Sequence, residues 1–364
     1  MCRTADYDVL ASMFAPRPTL LIYKRHDDCC FQTKRARQSI ERPARKVFKL
    51  LDAGDSLEFH DNVDPGTHAY EADNRSQLYR FLNKHFGLDT PELDLPYRDK
   101  LLTETERNVG LPADNATLHS MALDRLQQFR RKRERRQPQA VGVARKGLRE
   151  LLALPTYSKV IATPKGATLR RQRMTCRHEA LSVGPWLVPA TTITPEGGAR
   201  SGTEIVIGDG GRRAAAGLAG VAAGRRAIAV DLFGTGEART ANYQEAMLLA
   251  CAVERPLGIL VAQLLAVATW SSKRYKTRAV HLRASGETMA VVALMAAALK
   301  PKHFTSLTTY AALNSLDRLI DLPISYADQP ELFCFGLLAE FDIPDLIRMS
   351  APVELIDDAR GPLR

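Results

Sequence analysis

TEIVIGDGG (203–211), RAIAVDLFGTGEA (226–238) and AVHLRASGETMAVVALMAAAL (279–299) decide the fold. Each opens with a short apolar run that ends in polar, glycine-bearing residues. The runs predict strands at Glu204–Ile207, Ala227–Val230 and Ala279–Leu282, and a further one at Phe304–Thr308. Helical patterns follow near 212–223, over 257–273 and over 287–299. Runs this short and this apolar suit strands buried on both faces. Their alternation with helices predicts an α/β protein, with a mostly parallel sheet covered by helices on both faces. Its strand–helix–strand crossovers should be right-handed.

Toward the N-terminus the signal weakens. Residues 155–200 hold short β-like stretches around Val160, Leu187 and Thr191. Residues 88–121 carry Pro91, Pro96 and Pro112 without a sustained period and read as a surface linker. Residues 122–137 suit a charged helix. The first 87 residues read as strand (19–23), polar turn HDDCCF (26–31), helix (35–52), strand (57–60), turn DPGTH (64–68) and helix (71–86). Pro43 predicts that the first helix is in two pieces. Gly87 marks the end of the second.

An internal repeat frames these elements. DYDVLASMFAPRP (6–18) and FDIPDLIRMSAPV (341–353) share an Asp, an apolar pair, a Met and an Ala-Pro leading into an apolar stretch. Duplication is the expectation. The chain would then begin late in one copy of a domain and end late in a second.

Composition sets the bounds. A chain of 364 residues, 45% hydrophobic and 25% charged, has room for two cores and is not wholly disordered. The net charge of +10 is concentrated: residues 122–177 hold 16 Lys/Arg against 3 Asp/Glu. RRKRERR (130–136) could meet phosphates, but no aromatic interleaving accompanies it, so nucleic acid is not the expected partner. Six cysteines form no C-x-x-C pair, and the histidines lack metal-like spacing. Neither a disulfide scaffold, a metal site nor a cofactor is expected. The N-terminus shows no basic segment followed by an apolar run. The longest apolar runs, 257–270 and 289–299, fall short of the ~20 residues of a membrane span. A cytoplasmic, membrane-free protein is the default expectation.

The chemistry-bearing residues come in two groups. Asp27 and Asp28 follow a predicted buried strand, and His68 sits in a later turn. A carboxylate there can hold an imidazole as general base; the same residues also suit two polar surface loops. The nucleophile is harder to place. No G-x-S-x-G occurs. Ser285 stands between a strand and a helix, but Arg283 and Glu287 occupy its flanks, so a turn or cap role competes. Gly210, Gly211 or Gly286 could offer backbone N–H groups to an oxyanion. The G-x-G of DLFGTGEA is not followed by a full dinucleotide fingerprint.

APRPTLLIYKRHDDCCF (15–31), HDNVDPGTHAYEADNRSQLYRFLNKHF (60–86) and LPADNATLHSMAL (111–123) together resemble the late part of bacterial α/β-hydrolases. The group is the acetylxylan-esterase-like, prolyl-oligopeptidase-related one. The resemblance implies Asp28 as catalytic acid, with Asp27 as the close second, and His68 as base. VDLFGTGEA (230–238) and ELFCFGLLAEFDIPDLIRMSAP (331–352) are similar to a degenerate second copy, with Ser285 at its elbow. Three regions follow: residues 1–90 as the end of one hydrolase unit, 91–150 as a linker with a basic helix, and 151–364 as the second unit. The implied chemistry is Ser-His-Asp ester hydrolysis on an acylated small molecule or carbohydrate ester, impaired in what looks like a truncated chain. The alternative is a non-catalytic scaffold or binding module. An unpaired sheet edge predicts self-association.

Overall fold

The computed structural model describes residues 5–29, 32–171, 173–216, 224–239, 242–252 and 254–357. The chain divides into two compact units, residues 1–115 and 116–364.

In the first unit, β1 (Thr19–Lys24) and β2 (Leu57–Asn62) are parallel, with Thr19 opposite Leu57 and Lys24 opposite Asn62. Helix α1 (Tyr7–Ser12) precedes β1 and is capped by Asp6, whose carboxylate accepts from the Tyr7 amide at 2.7 Å. Between the strands the chain is helical from Thr33. It passes through a π-helical turn at Arg37–Glu41 and continues as α2 (Arg42–Leu50). The two pieces expected from Pro43 are present, separated by the π turn. The ring falls in the first turn of α2, just after the π turn has already shifted the hydrogen-bond ladder. Ala36, Ile40, Ala44 and Phe48 recur every four residues and form one stripe, buried with Tyr23 and Leu57. Helix α3 (Ala72–Phe86) ends at Gly87 in the left-handed region. The proline-bearing stretch after it is largely exposed, yet Asp94 is held by Arg75 at 2.6 Å and by the Tyr79 hydroxyl at 2.9 Å.

The second unit is built on a sheet of nine strands among the described residues. In chain order these are β3 (Val160–Pro164), β4 (Leu169–Arg171), β5 (Met174–Val183), β6 (Trp186–Pro195) and β7 (Thr203–Gly208). Then come β8 (Arg226–Val230), β9 (Val280–Ser285), β10 (Ser306–Tyr310) and β11 (Glu354–Asp357). The spatial order is β11-β10-β9-β7-β8-β6-β5-β3, with β4 beside β5. The strands from β11 to β8 are parallel, and the rest join antiparallel. The β-like stretches expected across 155–200 are in fact two ten-residue strands and two short ones.

The helices follow from composition. Helix α4 (Leu118–Arg135) opens with a Thr117/Ser120 capping box. Helices α5 (Val141–Leu151), α6 (Gly211–Ala216), α7 (Pro256–Tyr275), α8 (Glu287–Leu299) and α9 (Ile343–Ser350) complete the set that matters here. The predicted helix near 212–223 is seen as α6, and 217–223 lie outside the described residues. Helix α8 is apolar all round and buried from Thr288 to Leu299, as such a helix must be. Its alanines favour the helix and allow close packing. It shares one core with α7, Ile205, Ile207, Leu282 and Leu346. No single helix among the described residues is long and apolar enough to cross a membrane.

The basic helix expected in a linker is instead docked within the second unit. Arg133 pairs with Asp317 at 2.5 Å, Arg130 with Asp317 and Asp321, and Arg136 with Glu340. The run 130–136 thus meets carboxylates of its own unit. Cys176, Cys251 and Cys334 are free thiols; Cys2 and Cys30 lie outside the described residues.

Candidate active site

Asp27 and His68 of the first unit meet. Asp27 follows β1 in the turn that β1 delivers, and its side chain is fully buried. His68 Nδ1–H donates to Asp27 Oδ2 at 2.9 Å, and the other carboxylate oxygen accepts from the Cys29 amide at 2.8 Å. The His68 ring is half exposed. With Nδ1 engaged, Nε2 is left as the atom that can take a proton, which is the geometry of an oriented general base. Asp28 is exposed, and the ranking that put it first is corrected. The reason is local: the first Asp after the strand turns inward, and the next points to water.

The turn that carries His68 is stapled to β2. Asn62, buried at the end of β2, accepts from the Gly66 amide at 2.7 Å and donates to Asp73 at 2.8 Å. The Gly66 carbonyl accepts from the His26 amide at 2.8 Å. Gly66 has φ +67°, and a Cβ there would come within 2.9 Å of the Val63 carbonyl oxygen. Only glycine closes this loop without strain.

The second unit has a strand–turn–helix of the shape of a nucleophile elbow, and the residue at its turn is Gly286. The strand β9 keeps its ladder through Ser285, which pairs with Gly208 on one side and Tyr310 on the other. Ser285 is therefore an ordinary strand residue. The sharp turn falls one residue later, at Gly286, with φ +91°. In an elbow the strained position is the one that presents the attacking side chain, and here that position has none.

Asp209, from the GDGG turn after β7, takes the space above it. A Cβ on Gly286 would run into the Asp209 carboxylate. Asp209 accepts from the Met289 amide at 2.8 Å and the Thr288 amide at 3.3 Å. The positive end of α8, where an oxyanion would be stabilised, is thus filled by an internal carboxylate. The expectation that Gly286 serves as an oxyanion donor is also corrected, because its amide donates to the Tyr310 carbonyl at 3.0 Å. Gly211 packs its backbone against Gly236, and Gly210 lines the cavity beside them.

That cavity measures about 640 Å³ and opens at the carboxyl ends of β7, β8 and β9. The connection after β7 runs to β8 on one side, and the next strand, β9, lies on the other. This is the position where open α/β sheets take ligands. Asp209, Phe233, Asn242, Tyr243, Asp328 and Glu331 are among its walls. Burial pushes the Asp209 carboxyl above the usual aspartate range, against the pull of the α8 amides. Burial raises Glu331 as well, and the charge of Asp209 adds to it. Glu287 is engaged by Arg318 at 3.1 Å and Gln329 at 2.7 Å. Sequence reasoning missed Asp209 because it read GDGG only as a source of backbone donors.

Solved structures resemble this chain in part. A protein from Bacteroides fragilis assigned as an acetyl xylan esterase superposes with a TM-score of 0.51 at 14% identity, over 70% of this chain and 79% of its own. Acetyl xylan esterase 1 from Thermoanaerobacterium sp. gives 0.44 at 13% identity, over 61% and 86%. A methylesterase gives 0.43 at 16% identity, over 65% and 55%. The sequence matches no protein-family model and no curated protein. The fold is the α/β-hydrolase fold.

Proposed function

We propose that the second unit is a pseudo-hydrolase. It binds a hydroxyl-rich, carbohydrate-type ligand in the cavity above β7, β8 and β9 without cleaving it. The observation that carries this reading is Gly286 at the elbow with Asp209 seated over it. Removing the nucleophile from a triad removes most of its rate. The cavity keeps what sugar recognition needs: carboxyls and an amide for hydroxyls, with Tyr243 and Phe233 as flat apolar walls. The esterase names of the similar structures support the choice of ligand class. Calorimetry with an acetylated xylo-oligosaccharide, with acetate assayed in the same cell, tests it. Binding without acetate release is expected, weakened by Asn242→Ala and Asp328→Ala. Release of acetate that Ser285→Ala abolishes, or no binding at all, overturns it.

A second reading rests on the Asp27–His68 pair. The first unit supplies an oriented general base, so a serine presented by another chain could complete an esterase. Aryl acetate turnover that appears only with such a partner and vanishes in His68→Ala supports this reading. Turnover indifferent to His68 ends it.

A further inference from the structure

The register of the antiparallel strands lines up a second feature, away from the elbow. Arg170 on β4 is opposite Thr175 on β5, and Thr175 is opposite Thr194 on β6. Arg177 is opposite Thr192. Cross-strand partners share a face, and residues two apart on a strand do too. Arg170, Thr175, Arg177, Thr192 and Thr194 therefore form one row of guanidinium and hydroxyl groups. Arg226, at the start of β8, joins the row through Nε, which donates to Thr194 Oγ1 at 3.3 Å.

The row is concave. A cavity of about 710 Å³ lies over it, closed on one side by Tyr275 at the end of α7. Arg226 is fixed at its floor, its guanidinium carbon 3.6 Å from the Tyr275 ring centroid. Arg171 and Arg173 stand at the rim. Two carboxylates are near. Glu196 reaches only Arg173, at a long 3.9 Å, and Glu179 is buried and engaged by Arg274 at 3.2 Å and by the Thr192 hydroxyl at 3.1 Å. Five arginines thus line a groove whose one lining acid is Glu196. Burial pushes the Arg226 pKa down, with Tyr275 opposing the shift and the neighbouring charge of Arg274 adding to it.

We propose that this groove binds a small, multiply charged phosphate-bearing anion. Forked guanidiniums meet phosphate oxygens in pairs, and threonine hydroxyls between them donate to the remaining oxygens. The groove is a bounded cavity rather than a track. The face of Tyr275 that a base would stack on is covered by Arg226. Both points favour a compact oligophosphate over a nucleic-acid strand.

Calorimetry of the full chain with sodium tripolyphosphate at low salt tests this. The wild type should bind at one site, and Arg170→Gln/Arg177→Gln should bind roughly tenfold more weakly or worse, since two charge-assisted contacts are lost. Arg131→Gln, on the exposed side of α4, controls for net charge and should leave affinity unchanged. A titration with a 20-nucleotide single strand forms the second arm. Equal affinity in the wild type and the double variant, or no binding, overturns the proposal. Tighter binding of the oligonucleotide, with a steep salt dependence that the double variant reduces, overturns it in favour of a nucleic-acid site.

Discussion

Gly286 and Asp209 act as one device. The first has no side chain and a positive φ; the second fills the space so vacated and satisfies the first amides of α8. Gly286→Ala should destabilise the protein by about 2–3 kcal/mol, through backbone strain and displacement of the carboxylate. A denaturant midpoint unchanged from wild type would contradict that. Asp209 also sets a pH dependence. Its folded pKa lies above the ordinary aspartate value because of burial. The stability it contributes is fully present below that ordinary value and is lost as pH rises through the folded one. Asp209→Asn does not titrate, so from about pH 4 upward its stability relative to wild type should improve. Denaturant titrations at several pH values check the sign. At this scale the sequence was legible only in part. The alternation of Val280, Leu282 and Ala284 against His281, Arg283 and Ser285 runs on to Ser285, which already puts the turn at Gly286. Placing Ser285 in the turn, as nucleophile or as cap, ignored that period. Between Asp27 and Asp28 no period decides, because both lie in a turn and only tertiary contact with His68 separates them.

Helix α4 shows how an element is misread when charge is taken alone. Its arginines look solvated in sequence, because their partners Asp317, Asp321 and Glu340 lie some 200 residues on. Arg133 is the best buried of them and meets both oxygens of Asp317. Arg133→Ala should cost about 2–3 kcal/mol, since it leaves a mostly buried carboxylate with one partner fewer. Arg131→Ala, exposed on the same helix, should stay within ~0.5 kcal/mol. Equal effects of the two changes would show that α4 is not docked through Asp317. The parallel strands β7 to β10, by contrast, were plain in the sequence to within two or three residues, whereas β11 was not expected. Short runs such as EIVI and AIAV have no alternative to a fully buried strand, and α8 is too apolar to lie anywhere but in a core. The long hairpin of β5 and β6 was not plain. Arg177, Glu179 and Thr192 interrupt its apolar pattern because that end of the sheet is polar.

The whole molecule joins two units that repeat one arrangement. An Asp-capped helix, an Ala-Pro and a parallel strand recur as Asp6–α1–β1 and as Asp342–α9–β11. The repeated sequence thus has a structural counterpart in each unit. The boundary after Asn115 follows an exposed stretch that includes Arg107. Brief trypsin treatment should cut there first and yield two fragments that intact mass assigns to either side. First cuts inside β5–β9 would contradict this division. The two units also hold different features: one the Asp27–His68 pair, the other a strand–turn–helix whose turn residue is Gly286 with Asp209 over it. The most direct test is intact-mass analysis after treatment with a fluorophosphonate, which tags activated serines. No adduct at Ser285 is the result expected. An adduct at Ser285, lost in Ser285→Ala, would show a working nucleophile where the structure has only the end of a strand.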